Sequence, residues 1–140
     1  MNFVRAHLSK IMFVAILLGA EISAGCSNQV SGSNSNPVPD TWYGHNVQTI
    51  FNQHCGGGGC HINSSAYGVN LSSYKNVMNS YSSEYNAKVV IAGNASSSPL
   101  YDKILSRPAH GYRMPYGRSP LSSAMIDTIR VWINRGAKNQ

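Results

Sequence analysis

The sequence has no run of basic residues, few acidic side chains and no apolar stretch long enough to cross a membrane. Asp and Glu together number 5 among 140 residues, and the 11 Lys and Arg residues are dispersed along the chain. Dispersed positive charge gives only mild attraction to anionic proteins or membrane surfaces, so we expect no nucleic-acid binding. The sequence also lacks any useful length of the polar–apolar alternation that marks a half-buried strand, which favours an all-α fold.

The first 25 residues have the pattern of a secretory signal. A basic start with Arg5 and Lys10 is followed by the apolar stretch Ile11–Gly19 and by small residues immediately before Cys26. An apolar core of this length is too short for a membrane span but typical of an export signal. We predict that residues 1–25 are removed, which leaves nine basic and four acidic side chains.

The cleavage region resembles a bacterial lipobox, in which the cysteine after the cut receives a diacylglyceryl group. Ala24, Gly25 and Cys26 match the pattern, whereas Ser23 stands where leucine is usual. The resemblance implies an exported protein that is held in the cell envelope by lipid on Cys26, on the periplasmic side or at the outer membrane or cell surface. The alternative is simple secretion with Cys26 as a spare thiol.

A change of composition near residue 41 separates a tether from a folded domain. Residues 26–41 are rich in Ser, Asn, Gly and Pro and have little apolar surface to bury, which is typical of a flexible linker. The remaining 42–140 is a single domain of 99 residues. A large buried cofactor would help a domain of this size to cohere.

Four short helices are predicted in this domain. Apolar residues recur at helical spacing, serines stand at several predicted N-termini, and Gly136 marks the last C-terminus. The predicted segments are 47–54, 72–79, 100–105 after Ser98-Pro99, and a last helix after Ser122 or Ser123 that buries Ile126, Ile129 and Ile133 beside Trp132. Residues 107–120 contain three prolines and two glycines and therefore form a stiff irregular loop.

The clearest chemical signal is the segment from Cys55 to His61, in which four glycines separate two cysteines and a histidine follows the second. In a c-type haem site two thiols bond to the haem vinyl groups, and the adjacent histidine turns its imidazole to the iron. Four intervening residues lengthen the usual two-residue loop, but glycine tolerates positive φ and lets both sulfurs reach the macrocycle. We predict one covalent haem c on Cys55 and Cys60, with His61 as proximal ligand.

Two other interpretations of this motif stay open. Export would place Cys55 and Cys60 in an oxidising compartment, where they could form a disulfide in a cofactor-free surface lipoprotein, although so small a loop would add little stability. A zinc site would need four tetrahedral ligands, which Cys55, Cys60, His61 and either His54 or His110 could supply.

The chain downstream of the motif resembles the small class I cytochrome c domains found in planctomycete-type cytochrome proteins. The matching pieces come in the family's order and cover nearly all of residues 50–137: Ile50-Phe51, Val69-Asn70-Leu71-Ser72-Ser73-Tyr74, Ser98-Pro99-Leu100-Tyr101, Arg113-Met114-Pro115, Pro120-Leu121-Ser122, Trp132-Ile133 and Gly136-Ala137. The resemblance implies a class I cytochrome c-like fold with about four helices around one haem. It also implies Met114 as the sixth iron ligand.

The residue types near Met114 are compatible with that role. A thioether is a soft donor suited to haem iron, and Pro115 stiffens the loop that presents it. Met78 and Met125 lie on predicted helix faces and are expected in the core. His110 is the alternative sixth ligand, and a second histidine would lower the reduction potential.

The resemblance extends to the surroundings of the haem. A ligating histidine normally donates its second N–H to a carbonyl or carboxylate, and the backbone carbonyl of Val69 is the candidate acceptor for His61. Aromatic residues could wall the pocket or bond the propionates, although such residues are more often plain core; the candidates are Tyr67, Tyr112, Tyr116 and Trp132.

These assignments predict an electron carrier. With His61 and Met114 both on the iron, no position is left for a substrate, and electron transfer is the remaining chemistry. We predict a monohaem c-type cytochrome, not an enzyme, whose partners are redox proteins and the membrane, with self-association as a further mode. The alternative is a haem enzyme or gas sensor with a labile distal ligand.

Overall fold

A computed structural model describes residues 40–140 of the chain. These residues belong to one unit, Ser31–Gln140. The predicted signal segment 1–25, the lipidation site Cys26 and the tether up to residue 39 lie outside the described residues. No helix in the described part of the chain is long and apolar enough to span a membrane.

Short helices make up most of the regular structure, with one small hairpin. In chain order the elements are two π-helical segments (Gly44–Gln48 and Phe51–Cys55), a 3-10 turn (Ala66–Gly68), helix α1 (Tyr74–Asn79), strands β1 (Tyr81–Ser82) and β2 (Ala87–Lys88), helix α2 (Pro99–Ile104) and helix α3 (Ser123–Asn134). A helix is thus present at each predicted position. The antiparallel hairpin, which pairs Tyr81 with Lys88, was not predicted because two-residue strands leave no alternating pattern.

The first helical run extends from 42 to 55 and is longer than predicted. The carbonyl of Gly44 accepts the N–H of Thr49, five residues later, which widens the turn into a π-helix. Val47 and Phe51 are fully buried on the face predicted from their spacing. The run ends at Cys55, and π-helical turns of this kind are frequent at functional sites.

Serine caps begin two of the helices as predicted. The hydroxyl of Ser73 accepts the N–H of Asn76 at the start of α1, and the hydroxyl of Ser122 accepts the N–H of Met125 at the start of α3. Each bond satisfies one of the backbone donors that a helix N-terminus leaves free. These caps fix where the chain leaves the surrounding loops.

Ser98 precedes Pro99 at the N-terminus of α2, but its side chain does not cap the helix. Its buried hydroxyl accepts the N–H of Ile91 at 2.9 Å and donates to the carbonyl of Asn94 at 2.8 Å. The capping role expected for Ser98 is therefore wrong. The hydroxyl instead satisfies polar groups of the preceding loop, and the N–H of Leu100, which a cap could have accepted, donates to the carbonyl of Val89 at 2.9 Å.

An aromatic cluster of Tyr43, Tyr74 and Trp132 joins the first helical run to α1 and α3. The ring of Tyr43 lies 5.2 Å from that of Tyr74 and 5.1 Å from that of Trp132, measured between centroids. Trp132 donates its Nε1–H to the carbonyl of Lys138 at 3.0 Å. Trp132 is therefore a core residue, the second of the two roles considered for it, and it lines neither of the two cavities described below.

The buried face of α3 differs slightly from the predicted stripe. Ile129 and Ile133 are fully buried beside Trp132, whereas Ile126 is only partly buried at the edge of the core. Met78 and Met125 also pack against the core, as their helical spacing predicted.

Candidate functional site

Glycines shape the loop between Cys55 and Cys60. Three of them in succession, Gly57, Gly58 and Gly59, have positive φ of 94°, 58° and 78°. Side chains with a Cβ are disfavoured in this left-handed region, so the loop requires glycine here. The N–H of Cys60 bonds to the carbonyl of Gly57 at 3.2 Å, which closes the turn.

His61 is held at three points after this turn. Its backbone N–H donates to the carbonyl of Cys55 at 3.1 Å, and its own carbonyl accepts the N–H of Leu71 at 2.7 Å. Its ring Nδ1 lies 3.1 Å from the carbonyl oxygen of Val69, the acceptor predicted from the sequence. Since a carbonyl only accepts, Nδ1 carries the proton, and the lone pair of Nε2 is left to bind a metal.

A cleft opens beside His61. It consists of two adjoining cavities, one smaller and one larger, that share six lining residues: Cys55, His61, Tyr67, Glu84, Lys103 and Met114. The walls of the smaller cavity are mainly apolar and include Val69, Leu71, Val89, Pro99 and Leu100. The larger one reaches the surface at Cys60, Tyr112, Tyr116 and Arg118. A cleft with an apolar interior and a polar rim is typical of a cofactor site.

Met114 lines both cavities with His61 and Cys55. Its backbone N–H donates to the carbonyl of Lys103 at 2.8 Å, which ties the proline-rich loop to the last turn of α2. The structure therefore brings together all four predicted haem-site residues that lie within the described chain: Cys55, Cys60, His61 and Met114.

The two histidines considered as further ligands, His54 and His110, differ in position. His54 lines the larger cavity next to Cys55. His110 is exposed, lines neither cavity and has its ring 4.6 Å from that of Tyr85. His110 is therefore less well placed than Met114 to serve as a sixth ligand.

Three of the predicted wall residues lie on the rim of the cleft. Tyr67, Tyr112 and Tyr116 are 73, 72 and 65% exposed, and the rings of Tyr112 and Tyr116 are 5.1 Å apart. The guanidinium of Arg118 lies over the motif, since a Cβ at residue 57 would approach it to 2.6 Å. These side chains give the rim an aromatic and basic character.

The two motif cysteines are both free thiols in different environments. Burial raises the pKa of the Cys55 thiol to about 12, with a smaller contribution from neighbouring Cys60. Cys60 is exposed. Within residues 40–140, no group of three or more His, Cys, Asp or Glu side chains could hold a metal ion, so the zinc alternative lacks its ligand set there.

Glu84 and Lys103 line both cavities and were not among the predicted site residues. Lys103 could have been found from the sequence. It lies three residues after Leu100, which places a charged residue on the same face of α2 as a buried apolar one. Glu84 lies in the turn between β1 and β2, where no periodic pattern exists to mark it.

Comparisons of the chain with protein-family models, with curated proteins and with solved structures find no match. The resemblance to class I cytochromes c therefore stays a prediction, and a function must be inferred from the residues of the cleft and their geometry.

Proposed function

We propose that this chain is a monohaem c-type cytochrome that carries single electrons in the cell envelope. The observation that supports this most strongly is the meeting of the cysteine–histidine motif and Met114 in one cleft. The motif and the methionine are far apart in sequence and lie on separate loops. A disulfide or a surface histidine would not require this convergence.

The residues of the cleft fit a covalently attached haem. Cys55 and Cys60 would hold its vinyl edge, while the apolar walls at Leu71, Val89 and Leu100 suit the body of the macrocycle. The basic rim at Arg118 suits the propionates. Bound there, the haem supplies one-electron oxidation and reduction.

The axial residues would set the chemistry of the site. The bond from His61 to the carbonyl of Val69 fixes the ring and its tautomer, which keeps Nε2 available as a ligand atom. The soft sulfur of Met114 favours the ferrous state and so a higher potential than a second histidine would give. With His61 and Met114 as its ligands, bound haem iron would have no position left for a substrate, so the site would support electron transfer and the proposed role is that of a carrier rather than an enzyme.

Covalent attachment is the first point to test. The protein would be produced with haem-maturation factors and stained for haem after denaturing electrophoresis. The parent should keep its haem, whereas the double variant Cys55→Ala/Cys60→Ala should lose it, because thioether bonds would be absent. Cys26→Ser is the matched control, since it removes the cysteine outside the motif and should retain haem. Haem retained in the double variant, or none in the parent, would overturn the proposal.

Carbon monoxide binding distinguishes a carrier from a haem enzyme or gas sensor. The reduced parent should not bind carbon monoxide, because Met114 fills the sixth position. Met114→Ala should bind it, while His110→Ala should behave like the parent because His110 lies outside the cleft. Binding by the unmodified parent would favour a reactive haem. A response confined to His110→Ala would make His110 the ligand.

We also propose that lipid on Cys26 holds the domain at the membrane, where its partners are redox proteins. Acyl chains contribute about 0.8 kcal/mol per buried CH₂, so two or more chains on one cysteine give stable anchoring. Cys26→Ser should move the protein from the membrane fraction to the soluble fraction. Unchanged membrane association would indicate that a protein partner is the anchor.

A further inference from the structure

Lys103 contacts the methionine loop at two points. Its backbone carbonyl accepts the N–H of Met114 at 2.8 Å, and its ammonium donates to the carbonyl of His110 at 2.7 Å. One residue at the end of α2 therefore holds both ends of the segment 110–114. The preceding residue, Asp102, adds a third tie by accepting the N–H of Ala109 at 2.8 Å.

Glu84 holds the ammonium of Lys103 in this position. Its Oε2 lies 2.6 Å from Nζ, and the Lys103 side chain is only 13% exposed. An ammonium so far removed from water needs charged or strongly polar partners, and bonds to an ionised donor are stronger than neutral ones. The carboxylate comes from the turn between β1 and β2, so the hairpin is linked to the methionine loop through Lys103.

The loop backbone packs directly on this ion pair at Gly111. A Cβ at residue 111 would overlap Glu84 Oε1 and would lie 3.1 Å from Lys103 Nζ. The φ of Gly111 is +56°, which also favours glycine. Contact between backbone and ion pair shows that the pair is part of the loop's support and not an isolated surface interaction.

We propose that Lys103 is a positioning residue for Met114 and that Glu84 keeps Lys103 in place. This inference rests on the proposed function, because it assigns the ion pair the task of keeping the thioether on the iron. The loop has no regular secondary structure from residue 105 to the start of α3, so its ties to α2 and to the hairpin determine where Met114 lies. Without the ammonium, the tie at His110 and the link to the hairpin are lost, and the segment 110–114 is held to α2 only by the bonds of Met114 and Ala109.

The test compares Lys103→Met, which keeps a long side chain without charge, with Lys103→Arg, which keeps the charge. Lys88→Met is the matched control, since Lys88 is an exposed lysine on the hairpin that carries Glu84. In the haem-loaded protein, Lys103→Met should weaken the methionine-to-iron charge-transfer band. It should also let carbon monoxide bind the reduced haem, which the parent does not, because the population in which Met114 has left the iron should rise at least about tenfold, the factor expected when a hydrogen bond to a charged group is lost. Lys103→Arg should restore most of the band and should bind little carbon monoxide.

Two further measurements keep the inference falsifiable. Hydrogen exchange at the Met114 amide should be faster in Lys103→Met than in Lys88→Met, and this readout needs no haem. If Lys103→Met does not fold, Glu84→Gln tests the same tie and should give a smaller change in the same direction. A parent without methionine ligation would contradict the proposed function. If the parent has normal methionine ligation, and if Lys103→Met and Glu84→Gln keep the parent's band and amide exchange and also bind no carbon monoxide, the role of Lys103 alone would be overturned.

Discussion

Tyrosines occupy two contrasting regions of the molecule, the aromatic cluster and the rim of the cleft. Tyr43 and Tyr74 in the aromatic cluster have ring neighbours and donate their hydroxyls to Gln48 and to the carbonyl of Ala137. Three tyrosines of the rim are more than half exposed: Tyr67, Tyr112 and Tyr116. Tyrosine thus stabilises the core in one region and forms an exposed aromatic surface in the other. A cofactor bound in the cleft could contact that exposed surface.

The two regions are connected by the first helical run. Tyr43 lies near its beginning, in the aromatic cluster, and Cys55 lies at its end, beside the cleft. The aromatic cluster therefore fixes the helix that carries Cys55, the first of the two thiols proposed to bind haem. Core packing and site geometry are coupled through this element, although the two sets of side chains have different tasks.

The largest expected effect comes from removing an aromatic ring of the cluster. Trp132→Ala should lower the free energy of unfolding by about 3–5 kcal/mol, because it leaves a cavity among buried side chains. Tyr67→Ala removes a ring of the rim and should change that free energy by no more than about 0.5 kcal/mol. Urea unfolding of both variants measures the difference. Equal losses would mean that the rim and the cluster are equally part of the core.

Tyr43→Phe should have an intermediate effect on the free energy of unfolding, and this effect should depend on pH. Burial, and to a smaller extent the neighbouring Tyr74, raises the pKa of Tyr43 well above the ordinary tyrosine value. Above about pH 10 the unfolded chain loses this proton while the folded chain keeps it, so stability falls by about 1.4 kcal/mol per pH unit. Tyr43→Phe should remove this part of the alkaline decline.

At neutral pH the same variant should be less stable than the parent by about 1–3 kcal/mol, because it leaves Oε1 of buried Gln48 without the hydroxyl donor. Urea unfolding between pH 7 and 11 measures both effects. Tyr116→Phe, which changes an exposed ring, should keep the parent's alkaline decline. A decline as steep in Tyr43→Phe as in the parent would show that Tyr43 is not its source.

Much of the fold could be predicted from periodic and local patterns in the sequence. The spacing of Val47 and Phe51 marked a buried helical face, and Ser73 and Ser122 marked helix starts, because caps and faces depend on residues within a few positions. The hairpin left no such mark. Ser98 misled for a related reason, since its hydroxyl bonds depend on the path of residues 91–94, which no local rule specifies.

The candidate site also has a part that could be predicted from the sequence and a part that could not. The motif from Cys55 to His61 is local, and the bond of His61 to the carbonyl of Val69 was expected from the resemblance to class I cytochromes c. Glu84 and Lys103 meet only after α2 packs beside the hairpin, so their roles follow from tertiary structure. Trp132 was ambiguous because an aromatic residue on a helix face suits a cofactor wall and a core equally well.

Two glycines offer the sharpest separation of fold from site, because substituting them should change stability only modestly. Gly58 and Gly93 both have positive φ, at 58° and 83°, and a Cβ at either position would meet nothing within 4 Å. Alanine at either site should therefore cost only backbone strain, about 1 kcal/mol, without a clash. Only Gly58 lies between the two cysteines of the motif.

Gly58→Ala should lower the yield of covalent haem because the loop must keep its left-handed turns to present both sulfurs, whereas Gly93→Ala should attach haem as the parent does. Urea unfolding of both variants measures their stability, and haem staining, expressed per amount of folded protein, measures their haem yield. Equal destabilisation with unequal haem yield would assign the left-handed glycine loop to cofactor attachment. Equal yields would mean that the thiols reach the haem without this loop conformation, and that the glycines serve only the turn itself.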